Sequence, residues 1–181
     1  MKNILGLVCL LLLVAVQLFA QEKNSANGQF QVEQQRTEMQ KLDKMAGKWS
    51  GAGWIQQGPN REEFTGTENV QRKLDGLALL VEGRFTAKND PNKVIHETLA
   101  VLNYNPKTTI YDFKTYLANG SNGSFAFKLV EDGYEWGMDY PGAKMRYTII
   151  IKDGIWNEVG KISRDDGKTW LQFFEMNLKK N

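Results

Sequence analysis

The chain has 181 residues, 23 of them basic and 21 acidic, for a formal net charge of +2, with one cysteine and one histidine. A balance so close to neutral excludes the basic footprint of a nucleic-acid or membrane-surface protein, and a single cysteine excludes an internal disulfide framework. Stability therefore has to come from a buried core, and the length suits one domain of ordinary size.

Lys2 precedes an uncharged apolar run from Ile4 to Ala20, after which polarity begins abruptly at Gln21-Glu22-Lys23. This pattern predicts a secretory signal peptide over residues 1–20, cleaved after Ala20, and hence a secreted or periplasmic protein. A spanning anchor would need ~20 apolar residues, and only one basic residue stands before the run. A lipid anchor at Cys9 is disfavoured because Leu10 to Leu13 continue the run beyond it. Cys9 leaves with the leader, so thiol chemistry leaves too. The remaining segment, roughly 160 residues, is still long enough to bury a core.

Residues 21–36 are rich in Gln, Asn and Glu, with Phe30 and Val32 isolated among them, and read as a flexible lead. Thr37-Glu38-Met39-Gln40 has the form of a capping box, Met39, Leu42 and Met45 recur at threefold spacing, and Gly47 supplies a stop. The expectation is one short amphipathic helix over 37–46. Its apolar stripe needs a surface to cover.

Beyond Gly47 the period changes to two, and turn signals follow at short intervals. They are Gly58-Pro59-Asn60, Asp75-Gly76, Asn89-Asp90-Pro91, Asn105-Pro106, Asn119-Gly120 to Gly123, Asp132-Gly133, Pro141-Gly142, Asp153-Gly154 and Asp165-Asp166-Gly167. These nine turns predict ten strands, and their shortness makes successive strands antiparallel neighbours. A sheet that wide avoids exposed edges by closing. The predicted fold is therefore all-β: a ten-stranded antiparallel up-and-down barrel, spanning 37–181, with the short helix over one end. A two-sheet sandwich is the alternative.

Gly47-Lys48-Trp49-Ser50-Gly51-Ala52-Gly53 opens the first strand as a G-x-W-x-G-x-G motif. Trp49, Gly51 and Gly53 share one strand face, so the indole can plug the barrel floor while the glycines let the strand bend past it. The motif resembles the opening strand of the nitrobindin branch of the calycins, the superfamily that also holds lipocalins. Leu77 to Phe85, His96 to Tyr104, Tyr134 to Gly137, Arg146 to Ile149, Trp156 to Gly160 and Phe174 to Met176 extend the likeness over almost the whole domain. There it more closely resembles the uncharacterised, calycin-related DUF1579 family, which implies the barrel and leaves the function open. Nitrobindins bind haem through a histidine late in the chain, whereas here the one histidine is His96, in the fourth strand. Haem is thus a candidate cofactor whose ligand does not carry over; a tyrosine or methionine in the lumen is the other route to iron.

His96 is the one side chain suited to acid-base work near neutral pH. No G-x-S-x-G elbow is present, Glu97 points to the opposite strand face, and zinc ligands are lacking. No catalytic residue is assigned. Strand parity selects lumen residues instead. Phe64, Gly66, Glu68 and Val70 alternate together, as do Met145, Tyr147, Ile149 and Ile151; Trp156, Glu158, Gly160 and Ile162; and Trp170, Gln172, Phe174 and Met176. Glu68, Glu158 and Gln172 are then polar groups in apolar faces, and a buried carboxylate calls for a cation or a polar ligand group.

Arg84 and Arg146 are candidate cations, although parity sets both opposite apolar neighbours, and solvated exterior pairs are the competing reading. Trp49, Trp54, Tyr116, Trp136, Tyr147 and Trp156 are numerous enough to fill a core or to line a mostly apolar pocket. The expected ligand-binding set is Glu68, Arg84, His96, Trp136, Arg146, Tyr147, Glu158 and Gln172.

Ser163, Asp165, Gly167 and Trp170 form an Asp-box, S-x-D-x-G-x-T-W, a hairpin braced by its own side chains. One copy argues for a structural turn. Asn119-Gly120-Ser121 and Asn122-Gly123-Ser124 are adjacent glycosylation sequons in a loop that suits a barrel entrance.

The function expected is an exported barrel that binds a small, largely apolar molecule, without nucleic-acid partners or membrane attachment once the leader is removed. A haem-dependent or isomerase-type enzyme and an envelope interaction protein with a filled barrel are the alternatives.

Overall fold

The computed structural model describes residues 28–181; the expected leader at 1–20, Cys9 and the start of the expected lead lie outside them. A helix, α1, occupies residues 28–40 and is followed by a 3-10 turn at Asp43–Met45. The strands are β1 (Gly47–Gln57), β2 (Asn60–Lys73), β3 (Ala78–Ala87), β4 (Asp90–Asn105), β5 (Ile110–Leu117), β6 (Asn122–Val130), β7 (Gly133–Tyr140), β8 (Ala143–Lys152), β9 (Ile155–Ser163) and β10 (Leu171–Lys180). Each pairs antiparallel with the next, and β1 pairs with β10 from Trp49↔Lys180 to Ile55↔Phe174, closing the barrel. Every expected turn falls between two strands. At Asp153-Gly154 both residues take positive φ, 53° and 74°, as a tight hairpin requires.

The helix differs from the one expected over 37–46. Residues 28–36, expected to be a flexible lead, are helical, and Thr37 is no cap: its hydroxyl donates to the Glu33 carbonyl within the helix at 3.0 Å. Gln, Glu and Arg are good helix formers, and the segment is held to the barrel by Arg36, which pairs with Asp75 at 2.9 Å, and by Gln35, which donates to the Leu77 carbonyl at 3.2 Å. Polarity alone misread this stretch.

Below α1 the barrel end is plugged. Met39, Leu42 and Met45 are buried beneath the helix and its turn. Tyr111 donates to the Glu38 carboxylate at 2.7 Å, and Tyr134 donates to the Lys41 carbonyl at 3.1 Å, so two strands grip the helix from below. Trp49 is the floor: it is 1% exposed, its indole N–H donates to the Met45 carbonyl at 2.8 Å, and its ring meets Trp156 edge to face at 5.6 Å. A Cβ on Gly51 would stand 2.1 Å from the Asn177 carbonyl oxygen, and one on Gly53 2.2 Å from that of Glu175. The motif's glycines therefore let β1 press onto β10 where the sheet curls past the indole.

Candidate functional site

Above this floor lies a cavity of about 380 Å³, within the ~300–1,000 Å³ usual for small-ligand pockets. Its wall is rich in aromatic rings, with Phe64, Phe85, Phe113, Phe125 and Phe174 among them. Trp136 and Tyr147, cross-strand partners on β7 and β8, stack with ring centroids 4.2 Å apart and planes within 5°. The filled-barrel expectation does not hold.

Two carboxylates project into this wall, one from β2 and one from β9. Glu68, on β2, stands between Trp49 of β1 and Gly83 of β3, and is 8% exposed. A Cβ on Gly83 would come within 2.7 Å of its carboxylate oxygen, so the glycine makes the space that the side chain fills. Its Oε2 is buried without a hydrogen-bond partner. Burial, with a contribution from the charge of Glu158, pushes its pKa up to about 8.

Glu158, on β9, is also 8% exposed and accepts two indole N–H groups, from Trp136 at 3.1 Å and from Trp156 at 3.4 Å. Burial raises its pKa to about 7, the two indole bonds opposing the rise. Burial, and then the Glu158 charge, likewise holds the Tyr147 phenol above its ordinary value.

His96 stands at the other end of the cavity. It is exposed at the mouth, its ring 6.2 Å from that of Phe85, and desolvation by the protein on that side lowers its pKa. Ser121 and Asn122, from the sequon loop, also border the mouth. The wall is open on this side as well. β6 pairs with β7 only from Phe127↔Trp136 to Val130↔Gly133, so Asn122 to Ala126 and Gly137 to Tyr140 diverge toward the mouth. Phe125, Met138 and Tyr140 line the cavity along that divergence.

Of the expected ligand-binding residues, Glu68, His96, Trp136, Tyr147 and Glu158 come together around one cavity, and three do not. Arg84 faces outward and stands 4.0 Å from Glu97 on the exterior. Arg146 also faces outward, 2.5 Å from Asp139. Even-numbered β3 and β8 positions point away from the lumen, as parity dictates. Gln172 fails for a different reason. Gln172 pairs with Lys161 and Phe174 with Gly160, so an extra residue, Phe173, is inserted in β10. That bulge reverses the parity and turns Gln172 outward, onto Glu175 at 3.1 Å. Trp54 and Tyr116 are likewise outside the cavity, Trp54 beneath the Arg61 guanidinium and Tyr116 53% exposed.

The Asp-box folds as a braced turn. The Asp165 carboxylate accepts from the Thr169 amide at 2.8 Å and its hydroxyl at 2.6 Å, Ser163 accepts from the Gly167 amide at 2.8 Å, and Trp170 donates to the Gly167 carbonyl at 3.1 Å. Gly167 takes a φ of 95°. Phe113, Phe125 and Met138 are lining residues that sequence reasoning missed, although the inward alternation of Phe113, Thr115 and Leu117 was present to be read.

The residues do not fit a haem held within the lumen. Among the described residues the acidic and basic side chains of the lining are Glu68, Glu158 and His96, with no Lys or Arg to pair the propionates, and the histidine is at the mouth. Among the described residues no group of three or more His, Cys, Asp or Glu could hold a metal ion.

No family model matches the chain, and no curated protein matches it in sequence. Among solved structures it is similar to Rv2717c from M. tuberculosis, at a TM-score of 0.56 and 12% identity, over 79% of this chain and 96% of that one. The likeness is one of fold: this chain is a closed barrel of ten antiparallel strands.

Proposed function

We propose that this protein is an exported small-molecule carrier or sensor whose barrel lumen holds a largely apolar ligand. The observation that carries the reading is the aromatic cavity of about 380 Å³, open at one end and floored by Trp49 at the other, with two buried carboxylates in its wall. A core built only for stability would close such a space, because unfilled volume costs about 24 cal/mol per Å³. Export rests on the Lys2 to Ala20 pattern, and the resemblance to DUF1579 on the quoted stretches.

Two measurements test the proposal together. Native mass spectrometry of protein purified from its own host should show an adduct on the mature mass, and the neutral fluorophore N-phenyl-1-naphthylamine should brighten on binding the purified protein. An adduct-free mass together with no brightening would sink the reading.

A further inference from the structure

We infer that the lumen is selective for cationic ligands: it takes an apolar compound carrying a protonated or quaternary amine and rejects carboxylate-bearing amphiphiles. This deepens the proposed small-molecule reading and rests on it. Three independent features of the cavity point the same way.

The first is the charge of the lining. Glu68 and Glu158 are both inside, and among the described residues no Lys or Arg lines the cavity. Every basic candidate is accounted for elsewhere: Arg84 lies against Glu97 and Arg146 against Asp139, both on the exterior. Lys180, the cross-strand partner of Trp49, lies over that ring at 5.1 Å, at the closed end and outside the cavity lining. A fatty acid or other anion would find two acidic groups that can only add negative charge, and no counter-ion.

The second is the unpartnered oxygen. Glu68 Oε2 is buried with no hydrogen-bond donor, whereas the neighbouring carboxylate has two indole donors. Buried carboxylate oxygens are normally satisfied, and an orphan in a ligand-sized cavity marks where a donor from outside belongs. A protonated amine brings that donor together with a positive charge, and a quaternary ammonium brings the charge alone.

The third is the aromatic wall. Phe64 and Phe85 meet edge to face at 5.3 Å, Phe113 and Trp136 edge to face at 5.2 Å, and the Trp136 and Tyr147 rings stack beside Glu158. Aromatic faces are electron-rich, and cages of them together with carboxylates are how proteins hold quaternary ammonium groups.

The other titratable groups facing the cavity are Tyr147 on β8, Tyr140 on β7 and His96 on β4. Burial holds the Tyr147 phenol above its ordinary value, and His96 is at the mouth with its pKa lowered by desolvation, so neither supplies a cation in the interior at neutral pH. The carboxylates' raised pKa values, about 8 and about 7, place their ionisation within reach of a binding experiment. A bound cation favours the ionised pair and displaces its protons. Affinity for a permanent cation should therefore rise with pH.

The test uses displacement of N-phenyl-1-naphthylamine by three competitors at pH 5.5, 7 and 8.5. They are benzyltrimethylammonium, whose charge does not titrate, its uncharged carbon isostere neopentylbenzene, and phenylacetate. The expectation is that the cation gains about tenfold in affinity between pH 5.5 and pH 8.5, the order of one pair of opposite charges in a partly buried site. The isostere should not change, and phenylacetate should not compete. E68Q and E158Q should each flatten the pH dependence for the cation, and far-ultraviolet circular dichroism certifies that the variants are folded. Equal binding of cation and isostere at every pH, with the fluorophore still bound, would overturn the cation inference and leave the apolar cavity standing. Failure of the fluorophore itself to bind would remove both.

Discussion

Replacing Glu68 by Gln should make the protein more stable at alkaline pH and leave it nearly unchanged in acid. In the fold this carboxyl is raised from its ordinary 4.5 to about 8, chiefly by burial. Between those two pH values the folded chain keeps a proton that the unfolded chain has lost, so stability is full below 4.5, falls as pH rises through the window and is level again above it. At about 1.4 kcal/mol per pH unit the ionised group costs the fold about 5 kcal/mol at most. Water entering the cavity relaxes part of this, leaving about 3 kcal/mol. Gln preserves the shape and does not titrate. Urea denaturation followed by tryptophan fluorescence should therefore find wild type and E68Q within about 1 kcal/mol at pH 4 and the variant about 3 kcal/mol more stable at pH 9. Stability curves that remain parallel from pH 4 to pH 9 would refute the reasoning, since they would mean that the carboxyl ionises as freely inside the barrel as in the unfolded chain.

Other expectations follow from single contacts. W136F removes the indole bond that holds Glu158 down, so carboxyl NMR should find the Glu158 pKa above its present value of about 7; an unchanged or lower value contradicts the geometry. G51A places a methyl group 2.1 Å from the Asn177 carbonyl and should cost more than about 3 kcal/mol in a urea titration, whereas the same change at the exposed turn residue Gly58, where nothing lies within 4 Å, should cost less despite its positive φ. D165A breaks the bonds to Thr169 and Ser163 that hold the Asp165 carboxyl near a pKa of 2. Thermal melts should show wild type ahead of this variant above pH 4, with the gap closing as pH falls toward 2, and fluorophore binding should be equal in the two. M138W should slow fluorophore association in stopped flow if the divergence between β6 and β7 is the way in.

Much of the fold could be read before any coordinates. Turn chemistry is local, so Asp153-Gly154 announces its hairpin wherever it occurs, and nine such signals bound ten strands whose shortness leaves little choice of topology. The lumen face was legible from a period of two, and it picked out Glu68, Tyr147 and Glu158 without knowledge of their neighbours. That same rule had already set Arg84 and Arg146 outside, and their place in the resembling stretches was the weaker guide. Parity failed at Gln172, because one inserted residue in β10 inverts every position before it and no residue type announces the insertion.

The sequence by itself therefore determined the strand count, the alternation that sends two glutamates inward, and the Trp49 floor motif. The tertiary structure decided the rest: where the helix lies, the divergence of β6 from β7, and above all that Glu68 and Glu158, 90 positions apart in the chain, share one aromatic-rich cavity that no Lys or Arg among the described residues lines. The reason is physical. Periodicity is a property of each strand alone, whereas burial, the missing counter-ion and the raised pKa values exist only once the barrel has closed and put water out of reach.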